Sequence, residues 1–126
     1  MRTITHPTMG TTAPIAWTVG TDAGEVAAVN DRFGWCFYLL PKQELIGLIF
    51  RGKSCDGSTL AEVKAMPWSR TLPAGTRLTG SNLANLALEV GNKHAELRAS
   101  GEWARYTIER IARQQRIDLE LEGSNG

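Results

Sequence analysis

The sequence predicts an α+β fold: a four-stranded antiparallel meander over about residues 14–50, followed by three helices packed on one face. Three observations carry this reading. The N-terminal part holds short apolar runs separated by turn residues, and the later part holds apolar residues at helical spacing. The connections between the early runs are short, and short connections join antiparallel neighbours, because a parallel pair needs a crossover of about a dozen residues or more.

Residues 1–13 are rich in threonine, include Pro7 and Gly10, and show no periodicity, which predicts a flexible N-terminal arm. Ile15 to Val19 is the first strand, followed by the turn Gly20-Thr21-Asp22-Ala23-Gly24. Glu25 to Val29 is the second, and Asn30-Asp31-Arg32-Phe33-Gly34 supplies a turn whose glycine tolerates positive φ. Trp35 to Leu40 and Leu45 to Phe50 are the strongest strands, rich in aromatic and branched residues and joined by Pro41-Lys42-Gln43-Glu44. These two are apolar on both faces: Trp35, Phe37 and Leu39 point one way, and Cys36, Tyr38 and Leu40 the other. A sheet with one wet face would alternate apolar and polar residues, so this one requires two covers. The helices provide one. The other is the N-terminal arm, the 67–80 loop, a second copy of the chain or a partner.

Thr59-Leu60-Ala61-Glu62 has capping-box spacing and predicts a helix running to Met66, where Pro67 stops it. Trp68 to Thr79 carries Pro73 and Gly75 and reads as a loop, or as a loop ending in a short strand at Thr76 to Thr79. Ser81 or Asn82 caps a second helix with Leu83, Leu86, Ala87 and Val90 on one face, and Gly91-Asn92 interrupts it. After Ser100-Gly101 a last helix starts near Glu102. Trp103, Thr107 and Ile111 form its stripe, Ala104 and Ile108 lie beside it, and Arg105, Arg110, Arg113 and Arg116 point outward. Ile117 to Leu121 alternates apolar and acidic residues and reads as a fraying helix end or an edge strand. Residues 14–122 thus make a single domain, and 123–126 a disordered tail.

Composition excludes several classes of function. The chain has 126 residues, 42% of them hydrophobic, which suits one domain with its own core rather than a disordered chain. Fourteen Lys and Arg against 13 Asp and Glu leave a net charge of +1, neither the basic excess of a typical nucleic-acid module nor the acidity of a DNA mimic. No apolar run reaches the ~18 residues of a spanning helix, so no membrane partner is expected. The first residues lack the apolar core of a secretory signal, and Cys36 and Cys55 lie in unlike settings, which together predict a reduced, cytoplasmic protein.

Four constellations bear on chemistry. Gly47-Leu48-Ile49-Phe50-Arg51-Gly52-Lys53-Ser54 matches the phosphate-loop spacing, yet Leu, Ile and Phe belong in a strand and no helix signal follows Lys53. A weaker version remains, in which Arg51, Lys53 and Ser54 contact an anion or a phosphate. Leu86, Ala87, Val90, Gly91 and Leu97 have helix-turn-helix spacing, which would turn Lys93, His94 and Arg98 towards a DNA groove. A nucleophilic Cys36 or Cys55 paired with His94 is the enzymatic option. The two histidines and two cysteines lack any metal-ligand spacing, so neither a metal nor a cofactor is expected. Trp68, in Pro67-Trp68-Ser69-Arg70, is a loop tryptophan beside a cation, the composition of an interface anchor or a base-stacking platform, unless it folds back as a lid on the sheet.

These features predict a non-enzymatic binding or regulatory protein acting through a macromolecular partner, protein in preference to nucleic acid, and working as a homodimer. Its partner surface is Trp68 and Arg70 with Arg105, Arg110, Arg113 and Arg116. The alternative is a DNA-binding regulator using residues 83–99, and the third reading is a small enzyme with a Cys/His pair.

Overall fold

The computed structural model of the chain describes residues 2–7, 10–32, 34–53 and 55–124, the last eight by backbone alone. A small hairpin comes first, β1 (Thr3–Thr5) with β2 (Thr12–Pro14). A six-stranded antiparallel meander follows in sequence order: β3 (Trp17–Thr21), β4 (Gly24–Asp31), β5 (Gly34–Leu39), β6 (Glu44–Lys53), β7 (Thr59–Ala65) and β8 (Trp68–Thr71). Two helices complete the described chain, α1 (Gly80–Ser100) and α2 (Glu102–Ser124).

This corrects the predicted four-stranded meander with three helices. The segment expected to be the first helix is β7, because its side chains alternate: Ala61, Val63 and Ala65 join the core under the helices, while Leu60, Glu62 and Lys64 point away. That period of two, locked by pairing of Val63 with Ile49 and of Ala65 with Gly47, outweighs a capping-box spacing that any strand can carry by chance. Asp56 closes the β6–β7 connection by accepting hydrogen bonds from the Ser58 backbone N–H at 2.9 Å and its hydroxyl at 2.6 Å. The expected loop at 68–79 begins instead as edge strand β8, paired with β7 through the Met66-Pro67 turn.

The remaining two predicted helices are α1 and α2, but α1 runs unbroken through Gly91. Gly91 is a contact residue, not a turn residue. A Cβ there would collide with the Thr21 side chain on β3. On β6, a Cβ at Gly47 would stand 2.5 Å from Cγ1 of Val90. The two glycines let α1 lie directly on the sheet, which compensates the ~1 kcal/mol that a glycine costs inside a helix. α1 ends where the sequence placed its punctuation: Gly101 takes φ 83°, and its N–H reaches the Arg98 carbonyl at 3.2 Å.

The core under α1 joins Val26, Ala28, Phe37, Ile46, Ile49 and Val63 to Leu83, Leu86, Ala87, Val90 and Leu97. The opposite face carries a second cluster, Ala27, Val29, Cys36 and Tyr38, capped by Ile4 and Ala13 of the β1–β2 hairpin. Residues read as an arm over 1–13 therefore supply the second cover. It is tied down by the Ile15 N–H on the Arg2 carbonyl at 3.0 Å and the Ala16 N–H on the Ala28 carbonyl at 2.9 Å. That cover removes the bare sheet as an argument for a second copy. It stops short of Phe50, which is exposed beside Lys64. Residues 117–121 continue α2. Of the 123–126 tail, Gly123 and Ser124 end that helix, and Asn125 and Gly126 lie outside the described residues.

Candidate functional site

His94, wholly buried on the inner side of α1, marks the joint between the two helices. Its Nε2 accepts the Nε–H of Arg98, one turn later, at 2.6 Å. Its ring meets Trp103 of α2 edge-on, with centroids 4.6 Å apart. Arg98 turns its remaining edge to Glu44 at the start of β6 and so ties α1 to the sheet. Burial lowers the His94 pKa to about 4, the Arg98 charge adds to the effect, and Glu44 opposes it. An imidazole that accepts at Nε2 carries its proton on Nδ1, and Nδ1 has no hydrogen-bond partner among the described residues. Two clefts flank this joint. One, of about 420 Å³, lies among Asp22, Leu39, Pro41, Lys42, Glu44 and Arg98. The other, of about 470 Å³, separates Pro7, Glu44 and Leu45 from Trp103, Thr107 and Arg110.

The cysteines stand apart from this histidine. Cys36 lies in the cluster under the hairpin, on the opposite face of the sheet. Burial, aided by the nearby Asp31 charge, pushes its thiol up to about 11, which keeps it protonated and a poor nucleophile. Cys55 is exposed in the β6–β7 connection. Among the described residues no group of three or more His, Cys, Asp and Glu is placed to hold a metal ion. No described helix is long and apolar enough to cross a membrane.

The three residues expected to face DNA have three different surroundings. Lys93 bonds Glu96 at 2.9 Å and sits 4.9 Å above the Trp68 ring, His94 is buried, and Arg98 is held by His94 and Glu44. The phosphate-loop letters lie along β6: Gly47 to Phe50 are strand, Arg51 and Lys53 are exposed at its end, and β7 follows where a helix would be needed. Ser54 lies outside the described residues.

The predicted partner surface divides in two. Trp68 is half-buried against the core. Arg70 holds both carboxylate oxygens of Glu89, with its Nε at 2.6 Å and its second guanidinium nitrogen at 2.7 Å. Both residues thus fasten edge strand β8 to α1. Arg105, Arg110, Arg113 and Arg116 are all exposed on α2, and Arg110 lies 5.7 Å over the Tyr106 ring. As far as Arg116, the buried and half-buried residues of α2 lie at its beginning. Trp103 is buried, Tyr106 and Thr107 are half-buried, and every residue from Ile108 to Arg116 is exposed.

Two apolar residues therefore stand in water where the sequence put them on or beside a core stripe: Ile108 is 67% exposed and Ile111 50%. Helical periodicity identified a stripe but could not say what it faces. The available signal was the density of arginine over 105–116, which leaves little of that helix for a core. In comparisons with known proteins, the chain matches no protein-family model, no curated protein and no solved structure.

Proposed function

We propose that this chain is a non-enzymatic binding or regulatory protein that engages a protein partner along α2. The observation that carries the reading is a helix that buries only Trp103 in its first two turns and then shows Ile108 and Ile111 to solvent among exposed arginines, with Ile111 on the rim of the cleft against Leu45. An amphipathic helix pays for exposed isoleucine unless the stripe has a place to go, and an apolar anchor rimmed by arginine has the composition of a protein interface. Balanced total charge favours a protein over a nucleic-acid backbone.

Affinity capture from the native host tests this, using the wild-type chain and an Ile108→Asp/Ile111→Asp variant, each in nuclease-treated and untreated lysate. A protein retained through nuclease treatment and lost from the variant supports docking along α2. Retention that the variant leaves unchanged removes α2 from the interface. Retention abolished by nuclease transfers the reading to nucleic acid.

A further inference from the structure

We infer that the cleft bounded by Asp22, Lys42, Glu44 and Arg98, about 420 Å³ in volume, binds a free α-amino acid with an aliphatic side chain. This goes beyond the reading of α2 and does not depend on it. Three parts of the chain build the cleft: the β3–β4 turn with Asp22 and Ala23, the β5–β6 turn with Pro41 and Lys42, and α1 with Ala95 and Arg98. The volume lies in the range of small-molecule sites, ~300–1,000 Å³. Charge selects the ligand. Glu44 and Arg98 pair with each other, whereas among the described residues neither Asp22 nor Lys42 has an ion-pair partner. One free anion and one free cation thus share a cleft whose charges cancel. Such a lining gives no net attraction to a simple anion or a simple cation, and a zwitterion is the ligand that answers both charges at once.

The polar groups are set before a ligand arrives. Arg98 gives its Nε–H to His94 and one terminal nitrogen to Glu44, which leaves Nη1 without a partner among the described residues. A guanidinium held in this way loses little freedom on taking a carboxylate oxygen, and Lys42 supplies a second cation for the same carboxylate. Asp22 is tied to the same helix, because its backbone N–H donates to Asn92 Oδ1 at 2.8 Å, and its carboxylate remains for the ammonium group. Leu39 and Ala95, both half-buried, and Pro41 add an apolar wall, which favours an aliphatic side chain over a charged one.

Isothermal titration calorimetry on the full chain tests the inference with three probes: L-leucine, isocaproate, which lacks the ammonium group, and isopentylamine, which lacks the carboxylate. Leucine should bind with a Kd of about 0.1–1 mM, in keeping with its small number of atoms. Each singly charged analogue should bind about tenfold more weakly or worse, because one charge of the cleft is then left unanswered. Asp22→Asn should weaken leucine about tenfold and leave isocaproate unchanged. Lys42→Met should weaken leucine and isocaproate and leave the amine unchanged. Both residues are exposed in turns, and an unchanged circular dichroism spectrum and urea midpoint verify that the variants fold. Backbone amide shifts on adding leucine should map to residues 22–23, 39–44 and 95–98. No binding at about 10 mM leucine overturns the inference. So does an acid or an amine that binds as tightly as leucine, a pair of folded variants that leave leucine binding intact, or shifts centred instead on the cleft beside Trp103.

Discussion

Arg98 donates its Nε–H to the Nε2 of His94 at 2.6 Å, so a permanent cation is seated on the one nitrogen that the imidazole would use to accept a proton. The pair sits where α1, α2 and β6 converge, with Trp103 on one side and Glu44 on the other. His94 is thereby held neutral, and the joint is built around that neutral ring.

The first prediction concerns pH. The His94 pKa falls from about 6.5 to about 4 on folding. The unfolded chain then binds more protons between those values, and stability rises with pH across the window. The contribution is full above about pH 6.5 and is lost as pH falls towards 4, with a ceiling of roughly 3 kcal/mol at ~1.4 kcal/mol per pKa unit. Urea melts of wild type and His94→Phe should diverge in slope between pH 7 and 4.5, with the variant the flatter. Parallel curves would refute the buried neutral imidazole.

Helix propensity favours Gly91→Ala by about 1 kcal/mol. The structure predicts the opposite sign, because the added methyl enters the Thr21 side chain on β3. Overpacking costs up to about 3 kcal/mol, so after the propensity gain a net loss of up to about 2 kcal/mol is expected in chemical denaturation.

Ile4 is 2% exposed, over the Ala27–Tyr38 cluster. Ile4→Ala should cost about 2–4 kcal/mol, the range for a buried aliphatic truncation. A residue in a free arm would shift stability by less than ~0.5 kcal/mol, so a single urea midpoint distinguishes hairpin from arm.

Thiol reactivity should split cleanly. Cys55 is exposed and should react with an aromatic disulfide reagent in the native protein. Cys36 is buried with its thiol pushed up to about 11, and should react only as the chain unfolds. Equal rates for both would mean that the hairpin does not seal its face of the sheet.

The Arg70–Glu89 pair is bidentate but partly exposed, at 41% and 32% of the side chains. A double-mutant cycle with Arg70→Ala and Glu89→Ala should give a coupling below about 1 kcal/mol. Its role is to register β8 against α1, so the variants should raise amide exchange in β8 more than in β4 or β5.

The central strands were legible because their signals are local. Trp35 to Leu40 and Leu45 to Phe50 are apolar on both faces with turn residues between them, and β5 and β6 match them within a few residues. The arginines of the last helix were legible as outward-facing for the same reason. The candidate site was less so: Trp68 and Arg70 read as a free anchor and cation, whereas Lys93 and Glu89 occupy them. Those partners lie about twenty residues or more away in sequence and become neighbours only when α1 crosses the sheet.

The residue order by itself determined the turns between the central strands, that the middle of the sheet is greasy on both sides and must be covered twice, and that Gly101 ends a helix. Tertiary structure decided the rest. Residues 59–65 are a strand because Ile49 and Gly47 were waiting edges, position 91 of the helix is a glycine because Thr21 leaves no room for a side chain, and Thr3–Thr5 and Thr12–Pro14 form a hairpin because an apolar face lay open. Periodicity reports which residues share a side of an element. What that side meets is set by segments far along the chain, through burial and steric contact that local pattern does not encode.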